Sequence, residues 1–241
     1  ATGDTEFLET IYDVTAYTLE KDLHVVYDPN TGLFKGETSG LDHRSKTYPD
    51  WMDEGYFSDI MESKSSSTNI EYAVAFKVLE QASEILGKDL AETEKWANHS
   101  WQYPEYMGNV LAEKTDVIAT GYAIYYDIAT PEMAEQLMEN YPLVKYGANT
   151  VYPQKRGKQF GAIYHNRGVW PGWEATLMEG AMKAGNHELA DEIMKSIMSA
   201  AARNLSNEEV INYETGAGND AHRQLWSVAG HMAAFYRVLF G

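Results

Sequence analysis

The chain has 241 residues, an apolar content ordinary for a globular protein and a formal net charge of −17. A field of that sign repels phosphate backbones and argues against a nucleic-acid partner. With no cysteine, disulfides, thiol catalysis and cysteine-ligated zinc are excluded. No apolar run reaches the length of a membrane span, so no membrane partner is expected.

Taken in chain order, Asp4 stands where an N-cap belongs, before a helix that carries Phe7, Ile11, Val14 and Leu19. Two β-prone pieces, His24–Tyr27 and Leu33–Lys35, then flank the turn Asp28-Pro29-Asn30-Thr31-Gly32, which predicts one small β-hairpin near residues 24–35. A patch rich in serine, Glu62–Asn69, leads into a second helix. Thr68 and Glu71 have capping-box spacing there, Ile70, Val74, Leu79, Ala82 and Leu86 follow at helical intervals, and Gly87 closes it. Shorter helices are expected around Ala91–Ser100 and Val117–Ala129. Thr130 caps a further one, with Pro131 at its first position and Met133, Leu137 and Met138 inside. The next runs from about Pro171 to Gly185. Asn186 then caps a helix with Leu189, Ile193, Met194, Ile197 and Met198 on one face. A last helix spans about Arg223 to Leu239, with the stripe Leu225, Val228, Met232 and Phe235.

The helices hold leucine, methionine and alanine; the long loops hold the polar and aromatic residues. That layout predicts an all-α protein, one domain over residues 1–241, in which helical hairpins pack side by side into an (α/α) toroid with function on loops at one end. No sequence repeat of fixed period marks a regular solenoid.

Three loops carry the chemistry, Gly36–Met52, Tyr152–Trp173 and Asn207–Ser227, with Trp96–Gly108 a weaker fourth. Ser39 lacks the strand-to-helix context of a nucleophile elbow. His43, His165, His222 and His231 are scattered without a His-Glu-x-x-His pair, so no metal is expected. The turn at Asp28 lacks the alternating acids and closing glutamate of a calcium loop. Neither a glycine-rich dinucleotide fingerprint nor a P-loop occurs, so no cofactor is expected. Paired carboxylates remain: Glu37 and Asp42 in the first loop, Glu208, Glu209 and Glu214 in the third. Hydrolysis of a glycosidic bond needs a proton for a poor leaving group and a second carboxylate to activate water or attack the sugar. Most loop acids are merely solvated. These share their neighbourhood with Trp51, Trp170, Trp173 and Trp226, whose rings can stack on sugars, and with His43, Arg44, His165 and Arg223, which can donate to hydroxyls.

The segment Glu37-Thr38-Ser39-Gly40-Leu41-Asp42 resembles the acid-bearing Glu-Ser-Gly-aromatic/Met-Asp motif of the six-hairpin glycosidases, (α/α)6-barrel enzymes related to trehalase and processing α-glucosidase I. The chain is similar to a bacterial group of these from Bacteroidetes along Leu41–Met52, Tyr152–Pro171 and Arg223–Gly241. The resemblance implies an inverting glycoside hydrolase with Asp42 as general acid. It implies a glutamate before Thr215-Gly216 and Leu225-Trp226-Ser227 as general base. Counting back in the family pattern lands on Glu209. Val210 and Ile211 depart from the polar-aromatic pair expected there, and Glu214, closer to the turn, is a rival. Glu37, beside Asp42, would help keep the acid protonated; His43, Arg44, Tyr48, Trp51, His165, Trp170, Arg223 and Trp226 would bind the carbohydrate substrate.

A full six-hairpin barrel has twelve helices, and about eight can be counted here. The expectation is therefore an incomplete (α/α)6 barrel, resembling the C-terminal part of such a barrel, whose uncovered apolar faces meet a second copy or an N-terminal segment that completes it. A periplasmic or secreted location is favoured over a cytoplasmic one. Two other readings stay open: a non-catalytic carbohydrate-binding or scaffold protein, and a polysaccharide lyase working through Tyr164, His165 and Arg167.

Overall fold

Where a capping side chain meets a helical stripe in the sequence, the structure begins a helix. A computed structural model describes residues 3–35, 64, 66–89, 115–154, 164, 165 and 167–240. Among them are seven helices: α1 (Thr5–Val25), α2 (Ser66–Leu86), α3 (Val117–Tyr125), α4 (Pro131–Glu139), α5 (Pro171–Lys183), α6 (His187–Asn204) and α7 (Leu225–Phe240). Three expected caps are made. Phe7 N–H donates to Asp4 Oδ1 at 2.9 Å, Met133 N–H to Thr130 Oγ1 at 3.4 Å and Leu189 N–H to Asn186 Oδ1 at 3.0 Å. Each satisfies a donor that the first helical turn leaves unpaired. Thr68 is not a cap: α2 starts at Ser66, and Thr68 lies buried in its first turn. The expected helix at Ala91–Ser100 lies outside the described residues.

The hairpin is present as β1 (Tyr27–Asp28) and β2 (Leu33–Phe34), with Tyr27 opposite Phe34. It is shorter than expected, because His24 and Val25 complete α1. Asn30 N–H donates to Asp28 Oδ1 at 3.0 Å and closes the turn. Lys64 Nζ lies 2.7 Å from Asp28 Oδ2, and its hydrogen bond, aided by that of Asn30, holds the carboxyl down at about 2. Five further strands escaped the sequence reading: β3 (Thr115–Asp116) paired with β4 (Val151–Tyr152), and β5 (Gly168–Val169), β6 (Val210–Asn212) and β7 (Gly218–Asn219) in one antiparallel sheet of order β5-β6-β7. At two or three residues each, they are too short for alternation to show.

Helix α5 is the centre of the packing and touches α3, α6 and α7. Ile118, Met138, Leu177, Met178, Ile193 and Ile197 fill the core around it. A second cluster joins α1, α2 and the hairpin through Tyr12, Leu19, Phe34, Phe76 and Leu79. Two expected stripes face the wrong way. On α1, Leu19 is buried, but Phe7, Ile11 and Val14 are exposed; the inward face uses Tyr12 with Leu8, Ala16 and Leu23. On α7, Leu225, Met232 and Phe235 are exposed, and Ser227, Gly230 and Ala234 turn inward. On α7 the cause is close approach. A Cβ on Gly230 would sit 2.6 Å from Pro171 O, and one on Gly172 would sit 3.2 Å from Trp226 O, so α5 and α7 meet through small residues and leave the bulky ones outside. Among the described residues no helix is long and apolar enough to cross a membrane.

Candidate functional site

Short strands feed three helices onto one rim. β3 runs directly into α3, β5 runs through Trp170 into α5, and β7 leads through Asp220–Gln224 into α7. The strands are tied together: Val117 N–H donates to Thr150 O at 3.0 Å, and Thr150 N–H to Gly168 O at 2.9 Å. The β5-β6-β7 ladder continues the rim. The N-terminal ends of α3, α5 and α7 therefore gather there, and with them the aromatic residues. Trp170 is the residue before α5, and Trp226 lies in the first turn of α7.

The rings form one cluster. Trp170 and Trp173 stack with centroids 4.3 Å apart and planes 16° apart. Trp226 stands 5.9 Å from Trp170, and His165 stands 5.1 Å from Trp170 and 5.4 Å from Trp173. His165 and Trp170 are buried, whereas Trp226 is 50% exposed. Beside them is a cavity of about 320 Å³, walled by Tyr122, Trp170, Trp173, Thr176, Trp226 and Ser227 and floored by small residues of α5 and α7.

The sheet register sorts the glutamates. Gly168 pairs with Asn212 and Val169 with Ile211, so the next residue along, Trp170, comes level with Val210. Glu209 stands just before it, at the tryptophan end of β6. Its backbone N–H donates to Ala221 O at 2.8 Å, and its Oε2 accepts Ala221 N–H at 3.2 Å. The side chain is partly buried. Glu214 occupies the turn at the opposite end of β6. It is exposed and takes the Tyr213 hydroxyl at 2.7 Å; that bond, with some burial, raises the tyrosine above its ordinary value. Glu208, like Glu209, precedes β6, but its side chain takes a different environment. It is buried, lies 2.6 Å from His222 Nδ1, and fits because a Cβ on Gly218 would strike its side chain.

A fourth glutamate was not anticipated. Glu174, in the first turn of α5, is fully buried. Its Oε1 accepts Ala148 N–H at 2.7 Å, and its Oε2 lies 3.4 Å from Ser196 Oγ. Ser196 Oγ is placed to donate both to this oxygen and to Tyr146 O at 2.7 Å, so its one hydroxyl proton has two acceptors in reach. Burial pushes Glu174 up to about 8, against the downward pull of the Ala148 and Ser196 bonds. Gly147, at φ +131°, makes the room: a Cβ there would strike both Glu174 and Ser196.

The structure thus brings together His165, Trp170, Trp226 and, through the register, Glu209. It sets Glu214 at the far end of the strand. Arg223 is exposed on the linker into α7, at φ +60°. Glu37, Asp42, His43, Arg44, Tyr48 and Trp51 lie outside the described residues. Tyr122, Thr176 and Ser227 are cavity walls that sequence reasoning missed, since each sits in a helix where core packing is the ordinary explanation. Among the described residues no cluster of three or more histidine, aspartate and glutamate side chains could hold a metal ion.

The fold and rim define a class: a mostly helical toroid of hairpins with short strands at one end. No protein-family model matches the chain. A solved structure of an uncharacterized conserved protein from Thermus thermophilus is similar at a TM-score of 0.66 and 14% identity, over 98% of this chain and 74% of that one. The GH63 mannosylglycerate hydrolase of the same organism, in complex with Tris, is similar at 0.53 and 16% identity, over 71% of this chain and 45% of its own; its complex with glucose is similar at 0.54. At these identities the likeness is one of fold, a six-hairpin glycosidase fold in the second case. Among curated proteins, the chromosomal replication initiator protein DnaA of Geotalea daltonii is 33% identical over 114 residues. That match takes in 46% of this chain and only 25% of the initiator's length.

Proposed function

We propose that the chain is an inverting glycoside hydrolase of the six-hairpin kind, with Asp42 as general acid and Glu209 as general base. Asp42 gives its proton to the leaving oxygen while Glu209 takes one from a water on the opposite face of the sugar. The observation that carries the reading is the register of β5 and β6, which sets Glu209, not Glu214, at the tryptophan end of the rim. The glycosidase fold of the GH63 structures supports it, as does the resemblance to bacterial relatives of trehalase and processing α-glucosidase I. Trp170 and Trp226 offer faces to the substrate, a carbohydrate, and the Ala221 N–H orients one oxygen of Glu209 and leaves the other for water. The whole of residues 1–241 serves as one toroid domain in this reading.

The test is a screen of aryl glycosides and α-linked disaccharides, followed by proton NMR of the first product anomer. Inverted product from the wild type, together with loss of turnover in Asp42→Asn at an unchanged melting temperature, is expected. Retained configuration or an active Asp42→Asn protein sinks the assignment.

A further inference from the structure

The last helix is apolar on both of its faces. Ser227, Gly230 and Ala234 turn inward. On the opposite face stand Leu225, Met232, Phe235, Tyr236, Leu239 and Phe240, of which Leu225, Met232 and Leu239 are 81%, 67% and 55% exposed. A helix that is apolar all round is one that folding or association buries. Leu225, Val228, Met232, Phe235 and Leu239 follow one another at alternating intervals of three and four residues. That is the seam by which one α-helix packs lengthwise on another, and at about 1.5 Å per residue it runs for about 21 Å. The exposed side chains of this face offer on the order of 800 Å². That is close to the share of one partner in a standard interface and more than the about 300–600 Å² of the largest apolar patch on a typical monomer.

Charge selects the occupant. The chain carries 36 acidic residues, and none of them falls after Asp220. The two ionisable side chains of α7 are engaged within the protein. The ring nitrogens of His231 lie 2.6 Å from Ser227 O and from Ile197 O, and Arg237 Nε–H donates to Glu179 Oε1 at 2.9 Å. Helix α1 differs, since its exposed Phe7, Ile11 and Val14 are interspersed with exposed Glu6, Glu9 and Asp13. A molecule of net charge −17 repels its own copy over most of its surface. On α7 two copies meet without burying a carboxylate. From this face we infer that two copies of the chain associate through α7, helix against helix in antiparallel sense, with Met232 and Phe235 nearest the two-fold axis. Such a contact uses one patch twice. It also sets the positive N-terminal end of each helix beside the negative C-terminal end of the other. The pairing goes beyond the hydrolase reading and does not depend on it.

The experiment is sedimentation velocity of the full chain at micromolar concentration, on the wild type, Met232→Glu, Phe235→Glu and Val14→Glu, with melting temperatures to show that each variant folds. A dimer is expected for the wild type, since interfaces of this size reach dissociation constants of about 1 µM or below. Met232→Glu and Phe235→Glu each bring a pair of acids to the axis and should weaken association at least about 100-fold. Val14→Glu, on α1, should sediment as the wild type does. Because the chain has no cysteine, Met232→Cys and Phe235→Cys each give one thiol per copy. A short bismaleimide should join two copies through either of these and not through Val14→Cys. The cross-link decides the outcome should a glutamate variant fail to fold. A monomeric wild type overturns the pairing and gives the seam to a helix of another polypeptide or of a further segment of this one. Open-ended aggregates, a dimer that survives both glutamate substitutions, or cross-linking through Val14→Cys and neither α7 position overturns it equally.

Discussion

Two carboxyls near the start of helix α5 receive opposite treatment. Glu174 is sealed between α5, α6 and the turn at Gly147, has its hydrogen bonds supplied from within, and is held protonated by burial. Glu209, across the rim, is partly buried, and one of its oxygens accepts the Ala221 backbone N–H. A carboxyl sealed in the core and satisfied there serves structure, whereas one that is partly exposed at a rim can meet a substrate. A raised pKa therefore does not by itself mark the catalytic group here, since structural burial perturbs it just as strongly.

The sharpest way to break this comparison is to exchange each carboxyl for its amide. Glu209→Gln should lower turnover by about 10³-fold, the usual weight of a general base, with Glu214→Gln close to wild type. Equal losses in the two variants, measured by initial rates, would undo the register argument.

Glu174→Gln should instead act on stability and its pH dependence. The folded state holds this carboxyl protonated up to about 8, while the unfolded chain releases the proton near the ordinary value of about 4.3. The unfolded state therefore binds fewer protons between those values, and stability falls as pH rises through that window. At about 1.4 kcal/mol per pK unit, the loss between pH 5 and pH 8 is about 4 kcal/mol. Urea denaturation at several pH values should show that decline in the wild type and a flatter profile in Glu174→Gln. A wild-type profile as flat as that of the variant would place the ionised form in the native state.

Gly147→Ala tests the same knot from its other side. A Cβ at that position strikes Glu174 and Ser196, and the backbone at φ +131° disfavours any side chain, so a destabilisation of about 2 kcal/mol by thermal melting is expected. A smaller effect belongs to His222, whose ring is bonded to the buried Glu208, the residue before Glu209. His222→Ala loosens the clasp around Ala221 and should cost about tenfold in kcat with KM little changed; an equal loss in both would indicate substrate contact instead.

Much of the helical skeleton was legible because its signals are local. Asp4, Thr130, Asn186 and Pro171 mark starts that the structure reproduces, and Gly87 and Gly185, at positive φ, mark two ends. Burial was harder to read. On α7 the bulky apolar stripe is the exposed one, since close approach at Gly172 and Gly230 selects the small-residue face for contact; on α1 the buried face is a different apolar stripe from the expected one. The candidate site was visible only in part. His165, Trp170 and Trp226 stood out by residue type, but the ends of β6 at which Glu209 and Glu214 stand follow from the pairing of β5 with β6, and strands that short leave no periodicity to find.

By itself the sequence determined the helical class of the protein, most helix starts, and the thiol chemistry that its missing cysteines rule out, since caps, turns and composition act over a few residues. Only the tertiary structure decided which faces are buried, which glutamate shares the rim with the tryptophans and which one is locked away protonated. Those outcomes depend on contacts between segments distant in the chain, and no local pattern encodes the distance at which two helices come to rest.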